Sequence, residues 1–164
     1  MKKQFNYLIM GKLNRKGIKV YMIMLLCVIV FDFLIISPVI FSNFGMNKFS
    51  EAVYLFFKPL CHQMDSRSFH INGVKLAVCS RCSSIYLGVL FGVFIAPIVI
   101  NRKFLNKANL LLVLALIPSL FEFLYERFFG VEVLTAKVLS SLWLGGIAGL
   151  ILTSQIIDMF SSQG

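Results

Sequence analysis

The chain has 164 residues, of which 59% are hydrophobic and only 14% are charged, and its mean hydropathy is +0.86. An ordinary soluble domain holds about 45–50% apolar residues, so this composition excludes a water-soluble globular protein and favours a bilayer. The 16 Lys and Arg against 7 Asp and Glu give a formal net charge of +9. No basic stripe lies on a polar scaffold, so we expect the lipid bilayer as the partner and no nucleic acid.

Four apolar runs are long enough to cross a hydrocarbon core, which takes about 20 residues. Lipid offers no partner to an open backbone, so each run is expected to be helical. The sequence therefore predicts an all-α fold, an integral membrane bundle of four transmembrane helices in a single domain over 1–164. The predicted spans cover about 20–41, 76–100, 108–124 and 138–157.

A short amphipathic segment precedes the second span. Val53 and Phe57 belong to a set of apolar residues at helical spacing, which predicts a helix over about 50–58 with Ser50 as its N-cap. Pro59 is expected to end this helix. Such a helix is too short to span, so we expect it at the membrane interface, followed by a motif loop over 59–78.

Basic residues predict the orientation in the membrane. Segment 2–19 and loop 101–107 are basic, whereas segments 42–75 and 125–137 carry both signs. Because basic loops stay on the cytoplasmic side, the positive-inside rule predicts a multi-pass plasma-membrane protein with both termini in the cytoplasm. The motif loop is then expected on the outer face.

Three of the four cysteines and both histidines lie within residues 61–82. Cys79 and Cys82 are three residues apart, so their thiols share one face if that turn is helical. A tetrahedral metal site needs four N or S ligands, and soft thiolates favour zinc, with copper and iron as alternatives. The sequence predicts a zinc site drawn from Cys61, His62, His70, Cys79 and Cys82.

Two other interpretations of the cysteines remain open. A C-x-x-C pair at a helix N-terminus has its thiolate favoured by the helix dipole, and Arg81 adds positive charge, so Cys79 and Cys82 could form a redox dithiol. In that case the protein would be a membrane thiol–disulfide oxidoreductase. Alternatively, the cysteines only tie the loop of a structural or partner-binding subunit.

Acidic residues within the spans indicate a polar site below the cysteines. An unpaired acid at the bilayer centre costs about 2.5–3.5 kcal/mol, so such residues usually face the bundle interior. Asp32 lies in the first span and Glu122 in the third. We expect either that Arg67 or Arg81 reaches one of these acids or that the acids line a small polar cavity. Gln63 and Tyr86 are predicted as further polar members of the site.

Small residues in the last span predict close helix packing. Gly145 and Gly149 are four residues apart, which lets another helix approach the backbone closely. We expect this contact within one chain.

The motif residues resemble those of a known family. The pattern consists of Cys61-His62-Gln63, Arg67-Ser68-Phe69, Gly73, Cys79-Ser80-Arg81-Cys82 and Ile85-Tyr86-x-Gly88. It resembles the signature of the uncharacterised prokaryotic membrane proteins called the domain of unknown function 2085 family. Pro118 and Glu122 look like the proline and acid found in the next span of that family. The resemblance implies a small polytopic membrane protein with a Cys/His/Arg-rich motif and implies no particular reaction.

Overall fold

The structure is a computed structural model that describes residues 15–99, 107–130 and 133–161. Predictions that rest on residues 1–14 or 100–106, including most of the basic residues used for orientation, lie outside the described residues. This part of the chain forms five α-helices, a short 3-10 helix (Asp65–Arg67) and a two-stranded sheet. They are α1 (Arg15–Asn43), α2 (Asn47–Phe57), β1 (Ser68–Ile71), β2 (Val74–Cys79), α3 (Ser80–Val99), α4 (Ala108–Phe129) and α5 (Leu134–Ser161).

Three helices of the described chain are long and apolar enough to cross a membrane. They are Gly17–Asn43, Ser80–Val99 and Leu134–Ile157, within α1, α3 and α5. The 22-residue helix α4 is not among them, and its second half carries Glu122, Glu126 and Arg127. The described residues therefore contain three candidate membrane-spanning helices, and the predicted count of four is not confirmed.

Helices α3 and α5 pack through glycines on both sides. A Cβ on Gly145 would collide with the carbonyl oxygen of Ile85, and a Cβ on Gly149 would lie 2.5 Å from that of Val89. Gly88 of α3 is equally restricted, because its Cβ would lie 2.5 Å from the Leu142 carbonyl oxygen. The predicted close packing is confirmed as a contact within the chain, and α3 contributes a second pair of close-packed glycines, Gly88 and Gly92.

A β-hairpin replaces most of the predicted motif loop. Strands β1 and β2 pair antiparallel, with His70 opposite Lys75 and Ile71 opposite Val74. Asn72 and Gly73 link them with φ angles of +53° and +78°, the positive values that a two-residue type I′ turn requires. The fold is mostly helical, but the all-α prediction is wrong for this segment.

The second membrane helix begins later than predicted. Residues 76–79 belong to β2, and α3 starts at Ser80. Leu76, Ala77 and Val78 are all buried, so both faces of β2 are covered by protein. A strand buried on both faces gives a continuous apolar run, which has no alternation to distinguish it from a helix.

Helix α2 ends close to the predicted residue but starts earlier. It begins at Asn47, so Ser50 is an interior residue and its predicted N-cap role is wrong. The Ser50 hydroxyl instead donates a 2.9 Å hydrogen bond to the Pro38 carbonyl of α1. This bond ties α2 to α1, and Phe57 at the end of α2 is fully buried in a core shared with Ile35 and Val78. The location of α2 at a membrane interface stays a prediction.

Candidate metal centre

Three thiol groups converge beside this core. The Sγ atoms of Cys61, Cys79 and Cys82 all lie within 4.8 Å of one another, and the three cysteines are free. With Zn–S bonds of about 2.3 Å, tetrahedral geometry places sulfur ligands about 3.8 Å apart. The three sulfurs therefore already have nearly the spacing that one metal ion requires.

A turn after α2 delivers Cys61 to the cluster. Pro59 follows the end of α2, and the Cys61 amide donates a 3.0 Å hydrogen bond to the Phe57 carbonyl. Cys61 is buried. Its sulfur faces two backbone amides, since the N–H of Cys79 donates to it at 3.3 Å and that of Gln63 at 3.5 Å. These two bonds fix the position of the Cys61 sulfur.

Gln63 braces the turn that carries Cys61. Its φ of +50° is unusual for a residue with a side chain, and such strain persists only where neighbouring contacts hold it. The Gln63 side-chain amide donates to the Tyr54 carbonyl at 2.8 Å, and Lys75 donates to the Gln63 carbonyl at 3.4 Å. The Tyr54 hydroxyl closes the loop with a 2.6 Å bond to the Lys75 carbonyl. Gln63 thus supports the loop and lies outside the three-sulfur group.

Cys79 and Cys82 meet where β2 turns into α3. Cys79 is the last residue of the strand and Cys82 lies in the first turn of the helix, so the two are not on one helical face as predicted. A hydrogen bond from the Cys82 thiol, together with the backbone N–H groups of Cys82 and Arg81, lowers the pKa of Cys79 to about 5. A thiolate at Cys79 is the form that binds a metal or attacks a disulfide.

The two histidines lie apart from this group. Among the described residues, the atoms that could hold one metal ion together come from cysteines alone. His62 follows Cys61 and is exposed. His70 lies on β1, where its Nδ1 contacts the Ser68 carbonyl at 3.0 Å and its Nε2 contacts Asp65 at 3.3 Å. The structure therefore brings together three of the five ligands that the sequence suggested.

Aromatic side chains of the membrane helices pack beneath the sulfurs. The rings of Tyr86 and Phe31 meet edge to face with centroids 4.9 Å apart, and Phe31 also meets Phe57 at 5.2 Å. Tyr86 and both Cys79 and Cys82 pack against the same core. Tyr86 is thus next to the cluster, as expected from its position one turn after Cys82.

An ion-pair network lies on the other side of the start of α3. Arg81 donates to Glu122 of α4 at 2.7 Å, which is one of the contacts predicted from the sequence. Glu126, one helical turn later, contacts Arg67 at 2.9 Å, Arg81 at 3.4 Å and Lys137 at 3.2 Å. The network ties the motif segment, α3, α4 and α5 together.

Glu126 and Lys137 were not among the predicted site residues. Both were assigned to an outer loop over 125–137, whereas α4 continues to Phe129 and α5 begins at Leu134. The i, i+4 spacing of Glu122 and Glu126 would have placed both acids on one helical face. Extending the predicted third span by one helical turn would have placed Glu126 next to Glu122 on the same helix.

Asp32 is separate from this network. One of its carboxylate oxygens, Oδ2, is buried and receives no hydrogen bond within the described structure. The acid that Arg81 reaches is therefore Glu122, not Asp32. Asp32 remains a polar residue within α1 for which the structure gives no partner among the described residues.

Comparisons with known proteins find uncharacterised relatives and one family model of a predicted membrane protein. The chain is 40% identical over 108 residues to an uncharacterized protein of Methanocaldococcus jannaschii, covering 61% of this chain and 68% of that protein. It is 36% identical over 66 residues to an uncharacterized protein of Methanothermobacter thermautotrophicus, covering 40% of this chain and 59% of that protein. No solved structure matches the chain. The family model described as "Predicted membrane protein (DUF2085)" matches residues 61–158, a segment with all three clustered cysteines and both network acids, and the chain belongs to this family.

Proposed function

We propose that this integral membrane protein binds one zinc ion through Cys61, Cys79 and Cys82. The observation that carries the proposal is the convergence of three free sulfurs within 4.8 Å, one from the turn after α2 and two from the junction of β2 and α3. Soft thiolate ligands favour zinc over magnesium or calcium. Zinc held in this way would crosslink the turn after α2 to the junction of β2 and α3. Its binding free energy would then contribute to the free energy of folding.

A fourth ligand completes a tetrahedral site. His62 adjoins Cys61 and is exposed, so its side chain is free to turn towards the sulfurs on metal binding. Solvent is the other source of a fourth ligand. A water in that position would keep the site open for chemistry, whereas histidine would close it as a structural site.

Elemental analysis of the purified protein tests the proposal. About one zinc per chain is expected, and Cys61→Ser, Cys79→Ser and Cys82→Ser should each lower the zinc content. The matched control is Cys27→Ser, because Cys27 lies exposed on α1, outside the three-sulfur group. His62→Gln should reduce the zinc content only if His62 is a ligand, and His70→Gln should leave it unchanged. Unchanged zinc in the three cysteine variants would refute the site.

We further propose that the protein lies in the plasma membrane with four spans and its motif on the outer face. Helix α4 has the length of a span at 22 residues, and the charged side chains Glu122 and Glu126 in its second half pair with cations of the protein. Phe49, Leu55 and Phe56 of α2 are exposed, as expected for a helix resting on the membrane surface.

A cysteine-free background allows this topology to be tested. Ser66→Cys introduces a thiol in the exposed motif segment, and Lys107→Cys introduces one at the exposed start of α4. A membrane-impermeant maleimide should label the first in intact cells and the second only after lysis. The reverse pattern would invert the proposed orientation.

The second candidate function is thiol–disulfide exchange. It is favoured by the lowered pKa of Cys79, which leaves the thiol ionised at neutral pH, and by the nearby Cys82 sulfur. The Cys79 thiolate would attack a disulfide of a substrate protein, and Cys82 would then displace the substrate as a dithiol. The two electrons reduce the substrate disulfide and leave a Cys79–Cys82 disulfide. A zinc-free purified protein in which this disulfide forms reversibly in a glutathione buffer would favour exchange over metal binding.

A further inference from the structure

A cleft lies between the second half of α4 and the first half of α5, apart from the cysteine cluster. It has a volume of about 520 Å³, within the range of small-molecule sites. The side formed by α4 is lined by Pro118, the neighbouring residues Phe121 and Glu122 one turn later, and Tyr125 after a further turn, which share one helical face. Ala136, Leu139, Ser140 and Trp143 form the side of α5. A hydrogen bond from Ser119 to the Ser140 carbonyl at 3.2 Å joins the two helices there.

One carboxylate faces this mostly apolar cleft, which Tyr125 and Ser140 also line. Among the described lining residues, Glu122 is the charged one, and its side chain is only 10% exposed. Its Oε2 accepts the bond from Arg81 at 2.7 Å. The charge of Glu122 is thus already offset by a guanidinium. A charged ligand group would lose its hydration in the cleft without gaining a counterion, which costs free energy. A hydroxyl group needs only a hydrogen-bond acceptor, which the Glu122 carboxylate provides.

The rim of the cleft is built from exposed apolar side chains. Phe121, Leu139 and Trp143 line it and are each more than half exposed. Because these helices lie in a membrane protein, such a rim admits a molecule dissolved in the lipid phase. The chemistry of the lining therefore selects an amphiphile with an apolar chain and a small neutral head.

We propose that the cleft between α4 and α5 binds a membrane-dissolved amphiphile with a hydroxyl head group. The hydroxyl donates to the Glu122 carboxylate, and the chain lies against Phe121 and Trp143. This site does not depend on zinc or on the cysteines, so its test is separate from that of the proposed function.

Trp143 is the single tryptophan of the chain, and it provides a direct test. A bromine atom on a ligand chain quenches indole fluorescence on contact. The detergent-solubilised full chain is titrated with 11-bromoundecanol and, as the matched probe without a hydroxyl, with 1-bromoundecane. The alcohol should quench Trp143 saturably at lower concentration than the alkane. Glu122→Gln should weaken the alcohol about fivefold, since a charged acceptor binds more strongly than a neutral one by roughly that factor.

Two further variants keep the test decisive if Glu122→Gln disturbs folding. Ala136→Phe fills the cleft from the α5 side, leaves every residue of the ion pairs unsubstituted, and should abolish saturable quenching. Moving the tryptophan to the exposed face of α3, with Trp143→Phe and Phe94→Trp, should give only the unsaturable quenching of bulk partitioning. Equal quenching by the two probes, or saturable quenching that survives Ala136→Phe, would overturn the proposal.

Discussion

Adding one methyl group between α3 and α5 should separate the effect of helix packing from that of helix propensity. Gly145 and Gly146 are neighbours in α5. A Cβ on Gly145 would collide with the Ile85 carbonyl oxygen, whereas a Cβ on Gly146 would have its nearest neighbour, the Gly88 carbonyl oxygen, at 3.8 Å. The first position has no room, and the second allows ordinary van der Waals contact. Gly146→Ala is therefore the matched control for Gly145→Ala.

The size of the effect follows from what must move. The atom opposing Gly145 belongs to the backbone of α3, so no side-chain rotation can relieve the contact and the two helices must shift apart. Overpacking of this kind costs about 1–3 kcal/mol. Replacing glycine by alanine inside a helix gains about 0.5–1 kcal/mol, but this gain applies to both variants. We expect Gly145→Ala to be less stable than Gly146→Ala by about 1–3 kcal/mol.

Equilibrium unfolding in mixed micelles measures this difference. The fluorescence of Trp143, two residues before Gly145, is followed as the mole fraction of dodecyl sulfate rises. Gly146→Ala should unfold at or above the wild-type midpoint and Gly145→Ala below it. Free energies of unfolding that agree within about 0.5 kcal/mol for the two variants would refute the packing argument.

Three further predictions concern the motif and its supports. Ser50→Ala should lower stability by about 1 kcal/mol, because the hydrogen bond that ties α2 to the Pro38 carbonyl of α1 is lost, whereas Ser66→Ala at an exposed site should have no effect in the same unfolding assay. Glu126→Gln should destabilise the protein more than Glu51→Gln on the exposed side of α2, since Glu126 contacts three cations; equal unfolding midpoints would contradict this. In chelator-treated protein, the lowered pKa of Cys79 predicts iodoacetamide labelling that is nearly constant from pH 6 to 8, followed by peptide mass spectrometry, and a steep rise with pH would contradict it. Because the folded pKa of about 5 lies below the ordinary value of 9.0, the stability that this thiolate contributes is complete above pH 9 and disappears as the pH falls through 5.

The elements that the sequence predicted best are those with strong local patterns. The first span, predicted over 20–41, corresponds to Gly17–Asn43, and the short helix over 50–58 corresponds to Asn47–Phe57. Long apolar runs and a proline after a short amphipathic segment depend little on the rest of the fold. Gly145 and Gly149 were likewise interpretable, because small residues four apart serve close packing in most membrane helices.

The hairpin was missed although its turn was visible. Asn72-Gly73 is a strong two-residue hairpin signal, but the apolar run after it was assigned to the second span. Only tertiary packing shows that Leu76, Ala77 and Val78 are buried on both faces of a strand. The end of α4 was missed for a related reason, since the charges of Glu126 and Arg127 suggested a loop, and the cations that pair with Glu126 come from distant parts of the chain.

The hairpin also changes what the cysteines can do together. If residues 76–82 were helical, as predicted, the helix would fix the spacing of Cys79 and Cys82. Cys61 would then be linked to them only by the predicted motif loop. In the structure, pairing with β1 fixes β2, and the Cys79 amide at the end of β2 bonds the Cys61 sulfur directly. The turn carrying Cys61 is held in turn by Gln63, Tyr54 and Lys75, the last of which lies on β2. The positions of the Cys61 and Cys79 sulfurs therefore depend on one small hydrogen-bonded unit. Cys82 lies at the start of α3, which packs against α5 through glycines. A metal ion bound to all three sulfurs would crosslink this unit to the start of α3, so its binding free energy would also stabilise the local fold. Loss of any one cysteine should therefore reduce metal binding and local stability together.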